Sequence, residues 1–205
     1  MNQPLWMPKR RIEVAFRRAL LYISKGIVMR VGETSDPAII TATLEHLSRS
    51  PDFIQLAESI AMKMVTGLFD DTGHTWREAA RNNGRGREIY RALQKELQGA
   101  RGERIRALVK ENADLISTLP KNIADDVTAY VARETMKGRR ASDIAEEIRR
   151  RFPKDTKARA QLIARTQVSM TQTNLVRARA EDLGLDWYVW RACGGNQGDG
   201  RTRSS

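Results

Sequence analysis

The 205-residue sequence has a single cysteine, two histidines and few aromatic residues: four each of Phe, Tyr and Trp. A lone Cys193 cannot close an internal disulfide, so packing must hold the chain together and a reducing compartment is the expectation. With only His46, His74 and Cys193 as soft ligands, no zinc-type spacing exists. The longest apolar stretches, Ala19 to Tyr22 and Ile60 to Val65 with Lys63 inside it, fall far short of the roughly 20 residues that cross a bilayer. Pro4, Pro8 and the basic run Lys9, Arg10, Arg11 do not make the apolar core and small-residue cleavage site of a secretion signal. The aromatic residues are not interleaved with basic ones as in a single-strand binder that stacks bases.

Charge of one sign dominates what is present. Lys and Arg number 36 against 25 Asp and Glu, a net charge of +11. Such a balance favours an anionic partner, because each neutralised phosphate releases counterions whatever the base sequence. It equally describes helices coated with Arg and Lys, whose stems cover apolar surface. If nucleic acid is touched, the expectation is backbone contact without sequence reading. With 40% hydrophobic residues the chain can bury a core.

Helical periodicity runs through most of the chain. Ile12, Phe16, Leu20, Ile23 and Ile27 form the apolar stripe of a first helix, with Lys9, Arg10, Arg11, Arg17, Arg18 and Lys25 on its other face. That stripe predicts an attachment element docking on a partner, while the basic face meets acidic surface or DNA; packing on its own core is the alternative. Asp36 before Pro37 and Ser50 before Pro51 are start signals for two further helices. The third is expected to end near Asp70, with a Thr75–Glu78 capping box opening a short helix at Trp76. Asn82 to Gly86 is the clearest break. Helices follow around Ile105 to Ile116 and from Pro120 to Gly138. Ser142 is expected to cap a helix ending at Phe152, and after Pro153 a long helix runs from about Thr156 to Leu183. On it, Leu162, Thr166, Ser169, Thr173, Val176, Ala180 and Leu183 make a stripe expected to pack closely, so that Ser169→Leu would overpack it. Trp187 to Arg191 is the only good strand signal.

No catalytic constellation emerges. Glu146 and Glu147 read as a solvated pair, His46 and His74 as surface or capping residues, and Gly84-Arg85-Gly86 as a turn lacking the strand and Lys-Ser/Thr of a P-loop. Residues 141–166 have a helix-turn-helix cadence, but the second helix is too long for a reading helix. The expectation is no enzyme, no catalytic residue, no metal, no cofactor, no small-molecule substrate and no membrane.

The run Gln161 to Val168 with Leu-Ile-Ala-Arg-Thr at its centre, followed by Asn174, Ala178 to Glu181, Gly184 and Tyr188-Val189-Trp190-Arg191, resembles the Mu F-like family of phage head morphogenesis proteins. Asp199, Arg201 and Arg203 look like the family's Asp-x-Arg-x-Arg segment, reached here through a longer, glycine-richer Ala192 to Gly198. Stretches upstream, among them Gly138 to Phe152, also look like some members' N-terminal region. The resemblance implies a mainly α fold: a multi-helix region over 1–100 docking on portal or capsid, then over 103–205 the first part of a head morphogenesis domain. There a long helix and a short strand begin an incomplete α+β unit, with a Gly-rich tail from about 193 and a chain continuing past Ser205. Arg165, Thr166, Asn174, Trp190 and Arg191 would form the structural motif, Arg165 and Asn174 holding the strand to the helix. Lys9, Arg10, Arg11, Arg17, Arg18, Asp199, Arg201 and Arg203 would contact a partner or DNA. The implied role is a structural minor capsid protein in the virion, near the portal, assembled in the bacterial cytoplasm, with portal or major capsid protein and packaged double-stranded DNA as partners. The alternatives are a non-specific nucleic-acid-binding protein unrelated to capsids and, more distantly, an enzyme whose catalytic half is absent.

Overall fold

A computed structural model describes residues 10–81 and 100–182, and over these the protein is mainly α-helical. Helix α1 spans Arg10–Val31, α2 Pro37–Ser48, α3 Pro51–Arg81, α4 Ala100–Ser117, α5 Leu119–Met136 and α6 Ala141–Asp182. No strand occurs among the described residues, and the expected strand at 187–191 lies outside them, as does the break at 82–86.

Short-range chemistry sets the ends of the first helices. Asp36 is the N-cap of α2: its Oδ1 accepts from the Ala38 amide at 2.8 Å, with Pro37 fitting the first turn. After α1 and α5 the chain turns through Gly32 at φ +69° and Gly138 at φ +75°, left-handed conformations that glycine adopts without a Cβ penalty.

Two expected breaks are absent. Helix α3 runs straight through Gly73 to Arg81, because the burial period of Leu68, Thr72 and Trp76 continues across it and a helical glycine costs only about 1 kcal/mol. Thr75 does not cap anything: its hydroxyl donates to the Asp71 carbonyl one turn back, at 3.0 Å. Likewise Pro153 sits inside the 42-residue α6. Proline there forfeits one backbone hydrogen bond at about 3 kcal/mol. Ile148, Phe152, Thr156 and Ala160, buried on one face across the proline, hold the two halves on one line. Ser142 is not a cap either, since α6 starts at Ala141 and the Ser142 hydroxyl donates to Asp143 Oδ1 at 3.2 Å.

The core is one cluster drawn from all six helices. Helix α1 lies along α6, α3 packs on both α4 and α6, and α2 packs on α5, so helices from 1–100 and from 103–205 interleave. Phe16, Leu20, Ile23 and Ile27 of α1 are buried in this core, and Ile12 rests against Gly67 of α3. The apolar stripe read as a docking face is therefore the helix's own packing face.

The stripe expected to pack closely on α6 lies on its exposed side from Leu162 to Thr173, with Val176 and Ala180 half-buried and Leu183 outside the described residues. Leu162 is 64% exposed, and Thr166, Ser169 and Thr173 face solvent. The buried face is Thr156, Ala160, Ala164, Val168, Thr171, Leu175 and Ala178. Two residues' offset is about 200° around a helix, so the expected phase was turned to the opposite side. Small residues at 160 and 164 let a neighbouring helix approach closely. Ala164→Leu should accordingly cost about 1 to 3 kcal/mol by overpacking, and Ser169→Leu less than about 0.5 kcal/mol, as read by urea unfolding of each variant. Equal losses would contradict this packing.

Candidate functional site

The sequence-derived site residues fall into three groups. Arg165, Thr166 and Asn174 lie on the exposed side of α6. Arg10, Arg11, Arg17 and Arg18 are exposed on α1, on the side away from its buried stripe. Lys9, Trp190, Arg191, Asp199, Arg201 and Arg203 lie outside the described residues, as does the strand that Arg165 and Asn174 were expected to hold. Within the run Gln161 to Val168, Ala164 and Val168 serve the core while Arg165 and Thr166 do not.

Among the described residues, the arginine that anchors α6 is Arg179, which sequence reasoning did not single out. It is 3% exposed and donates through Nη1 to the Thr72 hydroxyl and through Nη2 to the Phe69 carbonyl at 3.0 Å. Its guanidinium carbon also stands 4.6 Å from the Phe69 ring centroid, a cation–π contact. About two turns back along α6, Asn112 of α4 donates to Thr171 at 3.2 Å and to the Leu108 carbonyl at 2.8 Å. A polar seam thus crosses three helices in an otherwise apolar core, and buried polar groups of this kind fix register by needing their partners.

Among the described residues, the densest cluster of charge contacts lies where α5 turns into α6, at residues to which sequence reasoning assigned no site role. Glu134, 6% exposed, accepts from Lys137 at 2.9 Å, from Arg139 at 3.1 Å and from Arg133 at 3.5 Å. Hydrogen bonds from Lys137 and then Arg139 hold its carboxyl down to about 2, below the ordinary 4.5, with burial acting the other way. Across the turn Glu147 pairs with Arg150 at 2.7 Å and Arg151 at 3.9 Å. Its carboxyl is lowered chiefly by the Arg150 hydrogen bond. Tyr130 sits between the two helices with the guanidinium carbons of Arg133 and Arg151 at 5.5 and 5.7 Å from its ring, and Arg139 donates to its hydroxyl at 3.2 Å. Beside it runs a groove of about 540 Å³ floored by Ile123, Val127, Ile148 and Phe152 and flanked by the Asp126–Arg159 pair at 2.9 Å. The signal available in sequence was the run Arg149-Arg150-Arg151 facing Arg139-Arg140 across one short helix stretch.

No group of three His, Cys, Asp or Glu side chains is placed to hold a metal among the described residues. His46 and His74 are both exposed on helices, and Glu146 is exposed beside the paired Glu147. No described helix is long and apolar enough to cross a membrane.

Comparison with known proteins adds one relative. An uncharacterized protein of Haemophilus influenzae is 33% identical over 90 residues, 44% of this chain. The chain spans about a fifth of that protein's length, the aligned part being 20% of it. No protein-family profile matches the chain, and no solved structure does.

The depressed carboxyl at 134 makes a signed prediction. A carboxylate whose pKa falls on folding stabilises the native state above its unfolded value, near 4.5, and that contribution disappears as the pH drops toward about 2. Wild type should therefore exceed Glu134→Gln in stability at pH 7, with the gap closing between pH 4.5 and 2 when thermal unfolding is followed against pH. A gap that does not change with pH would contradict the assignment.

Proposed function

We propose that the chain is a minor capsid, or head morphogenesis, protein of a phage particle, a structural component acting near the portal in head assembly and DNA packaging or delivery. The observation that carries this reading is the ordered resemblance from Gln161 through Arg191 to the Mu F-like head proteins. The geometry supports it in one respect. The motif divides cleanly between residues the core needs, Ala164, Val168, Ala178 and Arg179, and residues it leaves outside, Arg165, Thr166 and Asn174. Polar residues kept on a solvent face of a long helix are suited to hold a further element or partner.

On this reading Trp187 to Arg191 supply a strand that Arg165 and Asn174 hold to α6, beginning an α+β unit. Arg10, Arg11, Arg17 and Arg18 of α1, with Lys9, Asp199, Arg201 and Arg203, meet portal or major capsid protein, or the backbone of packaged double-stranded DNA. Docking then uses the basic side of α1, since its apolar side is covered by α6 and α3. The role is structural, located in the virion, without cofactor or small-molecule substrate. The net charge of +11 favours as the second reading a non-specific nucleic-acid-binding protein unrelated to capsids.

Localisation separates the two. Cryo-electron microscopy of purified particles carrying a tagged copy of the chain should place the tag at the portal vertex, and particles assembled without it should show defective heads or lost DNA. Particles lacking the chain altogether, with normal heads, would contradict the proposal.

A further inference from the structure

We propose that the corner between α5 and α6 is a binding surface for the phosphodiester backbone of duplex nucleic acid. Arg133, Arg139 and Arg151 are its contact residues. The inference rests on no part of the virion assignment, and it concerns residues distinct from the α1 arginines.

Charge density is the first support. Residues 133–155 carry eight Lys and Arg against five Asp and Glu. Five of the cations, on two helices and the turn between them, converge on Glu134, Glu147 and Asp155. A positive excess therefore remains after every contact in the cluster is made.

The donor atoms are the second. Among the described residues, Arg133 reaches Glu134 through Nε, and Arg151 reaches Glu147 and Asp155 through Nε. Their terminal amino groups make no hydrogen bond to another described residue. Arg139 spends Nη1 on Tyr130 and Glu134 and keeps Nη2. The side chains of Arg133 and Arg151 are 60% and 51% exposed, so those amino groups reach solvent.

Preorganisation is the third. The Tyr130 ring and the carboxylates already hold these guanidinium groups around one ring, so little rotamer freedom is lost when a phosphate arrives. Guanidinium forks match phosphate oxygens in geometry as well as charge. The same arrangement argues for duplex over single strand. The ring is part-buried and has two guanidiniums over it, so it is not offered as a platform for an unpaired base. Contact confined to phosphates reads no sequence.

Fluorescence anisotropy of a mixed-sequence duplex and the matching single strand, titrated with the full chain at several salt concentrations, tests this. Arg133→Gln with Arg151→Gln should weaken duplex binding and make the slope of log affinity against log salt shallower by about 2, roughly one unit per lost phosphate contact. Arg133→Lys with Arg151→Lys should keep most of the slope, separating lost charge from a damaged fold. An unchanged slope in the Gln pair, or no duplex binding by wild type, would overturn the proposal. So would tighter binding of the single strand. Competition by polyglutamate as strong as by duplex of equal charge would assign the surface to acidic protein instead.

Discussion

A guanidinium sealed between α3 and α6 is the constraint on which the arrangement turns. Burying Arg179 is tolerable only where its donors are met, and they are met by the Thr72 hydroxyl, the Phe69 carbonyl and the Phe69 ring, all within one turn of α3. A slide of α6 by one turn, about 5.4 Å, would strand that charge. Apolar contacts alone are permissive of such slides, because one buried alanine resembles the next. With the register set, α1 is laid along α6, Ala160, Ala164 and Val168 are buried, and among the described residues the opposite side of α6 is exposed. The Asn112–Thr171 bond repeats the device between α4 and α6.

This explains which parts of the fold were legible in the sequence. Elements whose buried face is purely apolar, such as α1 with Phe16, Leu20, Ile23 and Ile27, show their period directly. So do ends set by local chemistry, such as Asp36 before Pro37. The phase of α6 was hidden because its buried face includes Arg179, Gln172 and Thr171 while Leu162 lies outside. Reading hydrophobicity alone turns such a helix to the wrong side. Gly73 and Pro153 misled for a related reason: each is a local cost outweighed by tertiary burial on both sides of it, which no local window contains. What the apolar stripe of α1 covers also depends on partners distant in sequence, so an attachment face and a packing face look alike until α6 is in place.

The candidate sites divide along the same line. Arg165, Thr166 and Asn174 were visible through resemblance and lie exposed, free of duty in the core. The Tyr130 corner was not visible, because its character comes from Arg133 and Arg139 of one helix and turn meeting Arg151 of the next around a single ring. Buried Glu134 is the organiser there, as Arg179 is in the seam: one ion, hidden from water, fixing several groups of opposite charge or polarity around it. The core thus holds α6 by one face, while Arg165 is exposed on another.

Urea unfolding of Arg179→Ala beside Arg165→Ala probes that division most directly. Arg179→Ala leaves a buried hydroxyl and a carbonyl without their charged donor and should cost on the order of 3 kcal/mol. Arg165→Ala, on the exposed face, should cost less than about 0.5 kcal/mol. A large loss at Arg165 with little at Arg179 would mean that α6 is turned the other way, and the placement of both the seam and the free face would be wrong.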